Sequence, residues 1–396
     1  MKFTLLAMAL AALTLAPVVL AAEAAAPTLE SLAAQIKVQQ AQIEALAAAA
    51  EKPLTGSAFN NTTLGMYGEV HYNQLRSNDP AVAGSNFHTH RVVFLVGHEF
   101  SQDVRFYSEV EFEGAPDSSE IETEVEQFFV NWKLNEKVSL DIGQFLIPVG
   151  ILNETHEPDV FYGVERNPVE ELIIPATWWE KGVMARTTPL PGLAVDVAIH
   201  NGLRGCILDI AATPCEEKGL GSAEGLREFR QEFGGSRADD LAYTLRVKYT
   251  GFAGLELGVA AQRQDNITQG QDIVGGKAPA MLYEAHADWH WQGLGLRGLY
   301  ARWDIDNEMA SNNGSDKLEG FYIEPSWKVT EKFGLFARYN SWNTAANVPG
   351  QKDSHQSNAG VNYWIAPHVV LKADVQNTNQ PEREGDGFNL GLGLSF

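Results

Sequence analysis

Only two of the 396 residues are cysteine, and lysine plus arginine number 29 against 51 aspartates and glutamates, a formal net charge of −22. Two cysteines exclude a disulfide-dense scaffold. So few basic residues disfavour a nucleic-acid partner, because phosphate binding depends on clustered Lys and Arg. Beyond Leu20 no stretch stays apolar for about 18 residues, so no later segment reads as a membrane-spanning helix. Any membrane domain must then cross with strands.

Residues 1–22 have one early charge, Lys2, then an apolar run from Phe3 to Leu20 ending in Ala21 and Ala22. This is the pattern of a cleaved secretory signal peptide. In 23–55, Leu29, Leu32, Ile36, Gln39, Ile43 and Leu46 repeat at spacings of three and four, with Thr28 placed to cap the start. The spacing predicts a short helix, either a coiled coil with copies of itself or a single frayed periplasmic helix or linker. Pro53 and Gly56 end it, which leaves 56–396 for the main domain.

From Leu64 onward apolar and polar residues alternate. Val104, Phe106, Val110 and Phe112 alternate with Arg105, Tyr107, Glu109, Glu111 and Glu113. Leu241, Tyr243, Leu245, Val247 and Tyr249 alternate with Ala242, Thr244, Arg246 and Lys248. That period of two is the mark of a strand with two unlike faces. It recurs about sixteen times, and the connections alternate between tight turns (SQD, LNEK, TPLPG, TGFAG, WQGLG, VTEK, IAPH) and long polar loops. This is the arrangement of an outer-membrane barrel with turns in the periplasm and loops outside. The predicted fold is all-β, a transmembrane antiparallel β-barrel of about sixteen strands. Trp178, Trp179, Tyr249, Trp289, Trp291, Trp303, Trp327, Trp342, Tyr363 and Trp364 lie near strand ends, where bilayer interfaces favour amphipathic rings. Phe388, Leu390, Leu392, Leu394 and Phe396 share one face of the last strand.

The stretch Gly143–Gly182 departs from this pattern. Pro148, Pro158, Pro168 and Pro175 forbid a long helix or a central strand. Yet the segment carries more apolar surface than a solvated loop can expose, so it must pack on a wall while its polar residues face water. The mouth of a barrel meets both demands. Asn153, Glu154, His156, Glu157, Glu165 and Arg166 are the residues expected to reach the water path.

The run PVGILNETHEPDVFYGVERNPVEELIIPATWWEKGV, with RVVFLVGHEFSQDVRFYSEVEFE before it, resembles the porin O and P (phosphate-selective porin) family of Gram-negative outer-membrane channels. The likeness extends from about Leu64 to the C-terminus. It implies that the third long loop folds inward as the constriction and that the assembly is a homotrimer. Separately, the final aromatic strand resembles the assembly signal of bacterial barrels.

Charges on the lumen parity include Arg91, Arg105, Glu109, Glu111, Glu113, Glu122, Glu124, Glu126, Arg246, Arg297 and Arg338. Acids outnumber bases, which points to a weak cation preference. Phosphate selectivity in the family depends on a ladder of basic residues. The five arginines form no such ladder in the sequence, but an aligned stripe of them would favour anions.

Cys206 and Cys215 fall in the fourth long loop of an exported chain and are expected to pair as a disulfide. Asp304, Asp306, Glu308 and Asp316 match no defined calcium loop, and they read as a solvated acidic loop. His286, Asp288 and His290 share a strand face without a nucleophile motif, so no enzyme, metal or cofactor is expected. The sequence therefore reads as an outer-membrane diffusion channel for small ions and hydrophilic solutes, partnered by lipid. The alternatives are an anion channel, or a barrel serving mainly as a tether or adhesin.

Overall fold

The computed structural model describes residues 61–76, 83–114, 121–207, 219–220, 225–231, 233–270, 276–379 and 385–396. The segments 1–22 and 23–55 and Cys215 lie outside the described residues. The strands of the first half are β1 (Thr62–Arg76), β2 (Gly84–Glu99), β3 (Val104–Gly114), β4 (Ile121–Asn135), β5 (Val138–Leu146), β6 (Trp179–Leu190) and β7 (Leu193–His200). A short parallel pair follows, β8 (Cys206–Ile207) and β9 (Gly219–Leu220). The second half contributes β10 (Ala242–Phe252), β11 (Leu255–Gln264), β12 (Ala280–Trp291), β13 (Leu294–Ile305), β14 (Lys317–Lys328), β15 (Phe333–Asn343), β16 (Ser354–Ala366), β17 (Val369–Asn379) and β18 (Asp386–Ser395).

All but β8 and β9 form one closed antiparallel barrel of sixteen strands, sealed where β1 pairs with β18 from Tyr67↔Ser395 to Arg76↔Asp386. Closure removes every edge, so each ladder donor and acceptor has a neighbour. The short connections are tight turns. At Gln292–Gly293 both residues have positive φ (48° and 82°), the backbone that matches the twist of a two-residue hairpin.

The two faces are inverted relative to a soluble protein. On β10, Thr244 and Arg246 are buried inside while Tyr243 and Leu245 are exposed outside. Val259, Phe321, Ile323, Leu371 and Val375 are likewise exposed. An apolar belt of this extent is stable only against hydrocarbon, which agrees with the predicted barrel.

Two bulges alter the inner face. Between β1 and β2 the register slips after Glu69↔Arg91, leaving His90 as an extra residue, and between β3 and β4 it slips after Glu109↔Gln127, leaving Glu126 extra. Each slip lets neighbouring side chains on one strand share the lumen side.

The aromatic expectation is corrected in part. Trp291, Trp327 and Tyr363 are exposed, but Trp178, Trp179, Trp303 and Trp342 are buried inside the barrel. They belong to the packing of an internal loop, whose demand for apolar partners mimics an interfacial girdle in sequence.

Candidate pore constriction

The chain leaves the wall after Leu146 and rejoins it at Trp179, two residues that are themselves paired. The intervening segment, 147–178, is the third long loop. Ile147, Val149, Leu152, Ile173, Ile174 and Trp178 are buried with Leu282, Leu299, Trp303, Leu318, Tyr322 and Trp342 of the wall. Roughly 1.5–3 kcal/mol per large apolar side chain is gained by such burial, so the loop is held firmly to β12–β15.

Hydrogen bonds extend the attachment around the wall. Trp303 donates its indole N–H to the carbonyl of Ile173 (2.9 Å), and Asn362 donates to the carbonyl of Phe161 (3.0 Å). Val164 donates its amide to Asp374 (2.8 Å), Ser395 donates to Asp159 (2.9 Å), and Asn73 donates to Glu165 (2.8 Å). Arg338 donates to the carbonyls of Tyr162 and Glu165, and Arg91 to that of His156. A segment bonded to β1, β2 and β13–β18 through their inward side chains lies within the lumen.

Within the loop, Glu170 acts as a hub. One oxygen accepts the amides of Ile151 (2.6 Å) and Leu152 (2.7 Å), and the other accepts Asn167 (3.1 Å) and the Tyr322 phenol (2.8 Å). It ties the loop's ascending and descending halves together at a fully buried position.

The six loop residues expected at the water path divide into distinct roles. Asn153 is wholly buried, donating to the carbonyls of Ile147 and Trp178 and accepting the Trp178 amide, so it buckles the loop's neck. His156 is also buried, among Tyr67 (2.8 Å), Glu126 (3.3 Å) and Glu109 (3.6 Å). Both side chains are shut away from water by these partners, which corrects the expectation for both. Burial opposes a charge on His156, but Glu126 and Glu109 outweigh it and push the imidazole up to about 9. Glu154 pairs with Arg186 (2.9 Å) and with Arg246. Burial would raise its pKa, yet the two guanidiniums hold it at about 2.

Glu154 and Glu157 border a wide cavity of about 890 Å³ that reaches the short-turn rim at Gly254, His290, His368 and Phe396. Glu165 and Arg166 border a narrow one of about 160 Å³. Tyr67 lines the first and Arg91 the second, and the Arg91 guanidinium lies 5.0 Å over the Tyr67 ring.

The narrow cavity concentrates charge. Glu69, Glu111, Glu113, Glu124, Glu165 and Glu171 border it, as do Arg91, Arg166, Arg227 and Arg230. Three of these arginines come from loops. Arg166 donates to Thr177 (2.9 Å), Arg227 to the carbonyl of Ala176 (3.0 Å), and Arg230 to that of Thr177 (2.5 Å). Burial opposes the Arg227 charge, but Glu171 and Glu113 raise its pKa, whereas burial and Arg227 lower that of Arg230.

Glu171, Arg227 and Arg230 were not singled out by the sequence pattern. Arg227 and Arg230 belong to the fourth loop, which folds over the third: the Leu226 amide donates to the carbonyl of Leu172 (3.2 Å). The run LREFR was the available signal, an apolar and basic cluster in an otherwise small and polar loop.

The wall arginines form no continuous basic stripe. Arg91 pairs with Glu69 (2.6 Å), Arg246 with Asp196 (2.5 Å), Arg297 with Asp288 (2.7 Å) and Arg338 with Glu324 (3.2 Å). Arg105 pairs with Glu99 (3.0 Å) at an exposed turn, away from both cavities. Of the expected lumen acids, Glu109 and Glu126 are committed to His156, and Glu122 is exposed at the start of β4. Cys206 is disulfide-bonded. The acidic loop is knitted by its own caps: Asn307 accepts the amides of Met309 and Ala310 at the start of α1 (Glu308–Asn313), and Asp316 accepts Ser311 and Asn347.

Residues 64–185 match the family model of phosphate-selective porin O and P, and residues 219–382 match that of Gram-negative porin. A protein of Aquifex aeolicus (strain VF5), described only as uncharacterized, is 28% identical over 372 residues, covering 84% of this chain and 80% of its own length. Among solved structures, Salmonella typhi OmpF in complex with daunomycin superposes with a TM-score of 0.59 at 14% identity, covering 85% of this chain and 97% of that one. An anion-selective porin from Comamonas acidovorans gives 0.56 at 12% identity, covering 85% and 100%. The resemblance seen in the Pro148–Val183 motif thus extends to family-model matches, and the fold is that of porins.

Proposed function

We propose that this chain is an outer-membrane porin, a passive diffusion channel for small hydrophilic solutes and ions that is narrowed by loop 147–178 and leans weakly toward cations. The observation that carries the reading is the loop's attachment to inward side chains around the wall, since a purely structural barrel needs no ordered segment across its lumen. Water and ions would enter between that loop and β1–β4, where the narrow cavity lies.

The cation preference rests on two features. The wall arginines that threatened it are each matched by a carboxylate, and six glutamates border the narrow cavity beside four guanidiniums and the imidazoles of His71 and His90, so the preference is expected to be slight. Fixed charge acts over about 8–10 Å at physiological salt, so this excess matters only where the path is narrow. The second reading, an anion channel, draws on Arg166, Arg227 and Arg230, which gather at that same cavity. Reversal potential across a KCl gradient separates the two, and a correctly folded barrel that never conducts would remove the porin reading altogether.

The long loops are proposed to face outside and the short turns the periplasm, following their alternation around the barrel. The proposed precursor carries a leader at 1–22 and a helical segment at 23–55 before the barrel. The heptads at Leu29–Leu46 and the porin fold together favour a homotrimer embedded in lipid. Cys206 and Cys215 are proposed as the disulfide pair of the fourth loop.

A further inference from the structure

Beside the Glu69–Arg91 pair, three imidazoles converge on the inner wall. His71 comes from β1, and His88 and His90 come from β2, whose alternate residues share the lumen face. The ring centroids of His71 and His90 are 4.7 Å apart in a stacked pair, and His88 lies 5.9 Å from the first and 5.8 Å from the second. One nitrogen of each ring falls within 4.8 Å of the others. His71 and His90 border the narrow cavity.

We propose that His71, His88 and His90 form a binding site for a transition-metal dication of the zinc, nickel and copper class at the wall of the narrow cavity. A tetrahedral zinc ion holds its imidazole nitrogens at about 2.0–2.1 Å, which places them roughly 3.3 Å from one another. Side-chain rotation on the order of 1 Å therefore closes the set without moving the strands. His71 also has the outer contacts that such a ligand uses, with one ring nitrogen 3.0 Å from Glu165 and the other 3.1 Å from Glu69. When one nitrogen turns to the metal, the carboxylate on the other side fixes the ring and its tautomer. The displaced carboxylate remains within reach as a further ligand.

The surrounding charges discriminate among ions. Glu69 and Glu165 are offset by Arg91 and by Lys372, whose ammonium lies over the Phe161 ring beside them. Attraction to net charge is thus weak, and coordination by imidazole must supply the affinity. Imidazole suits zinc, nickel and copper, whereas magnesium and calcium prefer oxygen. The site should bind the first group and ignore the second.

The test is calorimetric titration of ZnCl2 alone into the full chain folded in detergent at pH 7.5. Its readout is independent of conductance, so failure of the site and failure of the channel reading are distinguishable. Saturable binding of one ion per chain is expected, weakened tenfold or more by His88→Ala and by His90→Ala, with no heat from MgCl2. These two positions are chosen because His71 also holds the loop through Glu165. Heat-modifiable gel migration verifies that both variants are folded. No saturable zinc binding in the native chain, or native affinity retained in both variants, would overturn the proposal. So would loss of binding on Glu111→Gln with Glu124→Gln while both histidine variants still bind, which would assign the ion to the acidic cluster instead.

Discussion

The phenol of Tyr322, on β14, donates to Glu170 at 2.8 Å and fastens the carboxylate hub of the internal loop to the far wall. Because that carboxyl also receives the amides of Ile151 and Leu152, wall and loop share one buried acceptor. A hydrogen bond contributes about 0.5–1.5 kcal/mol net. Tyr322→Phe should therefore leave the barrel folded but raise open-channel noise. Glu170→Ala, which removes every one of these bonds, should free the loop and raise single-channel conductance. Native conductance and noise in a folded Glu170→Ala barrel would mean that the loop does not limit the path.

His156 gives the loop a pH dependence of defined sign. Its folded pKa is raised to about 9 from the ordinary value of about 6.5. The resulting stabilisation is complete below about 6.5 and is lost as pH rises through 9. Above that point Glu109 and Glu126 face a neutral ring, and the neck of the loop loosens. Recordings at pH 7 and pH 10 should differ in closure frequency, and His156→Ala should show the alkaline behaviour already at pH 7. A native channel that behaves identically at both pH values argues against His156 as the anchor.

Charge at the narrow cavity should set selectivity. Glu111→Gln combined with Glu124→Gln keeps shape while making two carboxyl groups of the cavity permanently neutral, and should weaken the cation preference. Arg227→Ala with Arg230→Ala should strengthen it. Arg105→Ala is the control, because its partner Glu99 and its exposed turn are remote from either cavity. Reversal potentials in a tenfold KCl gradient measure all three, and equal shifts from the control and the cavity variants would exclude a local filter.

Oligomeric state is checked by mass measurement in mild detergent. The full chain is expected as a trimer. A stable monomer with residues 23–55 present would exclude the trimer.

The wall was legible because lipid on one side and water on the other impose a strict period of two, which tertiary contacts do not blur. The strands Val104–Gly114 and Ala242–Phe252 begin within a residue of the alternations at Val104–Glu113 and Leu241–Tyr249 that mark them. Loop 147–178 was legible as an inward segment from its prolines and excess apolar residues, but the direction of each side chain was not. Asn153 looks like a pore residue in sequence, and it becomes a buried clasp because the loop's neck leaves carbonyls that need a donor. Arg227 and Arg230 were missed for a related reason. They reach the cavity only because the fourth loop lies on the third, a contact with no periodic signature. The extra residues His90 and Glu126 are equally silent, since alternation alone does not reveal where a register slips.

The sealing of β1 against β18 joins the strands most distant in the chain, and the internal loop spans that seam. Asn73 of β1 donates to both Glu165 and Asn389, while Asp159 accepts from Ser395 at the chain's end. A segment rooted midway along the sequence thereby latches the first strand to the last. Opening the cylinder at its seam requires breaking the latch as well as the ladder.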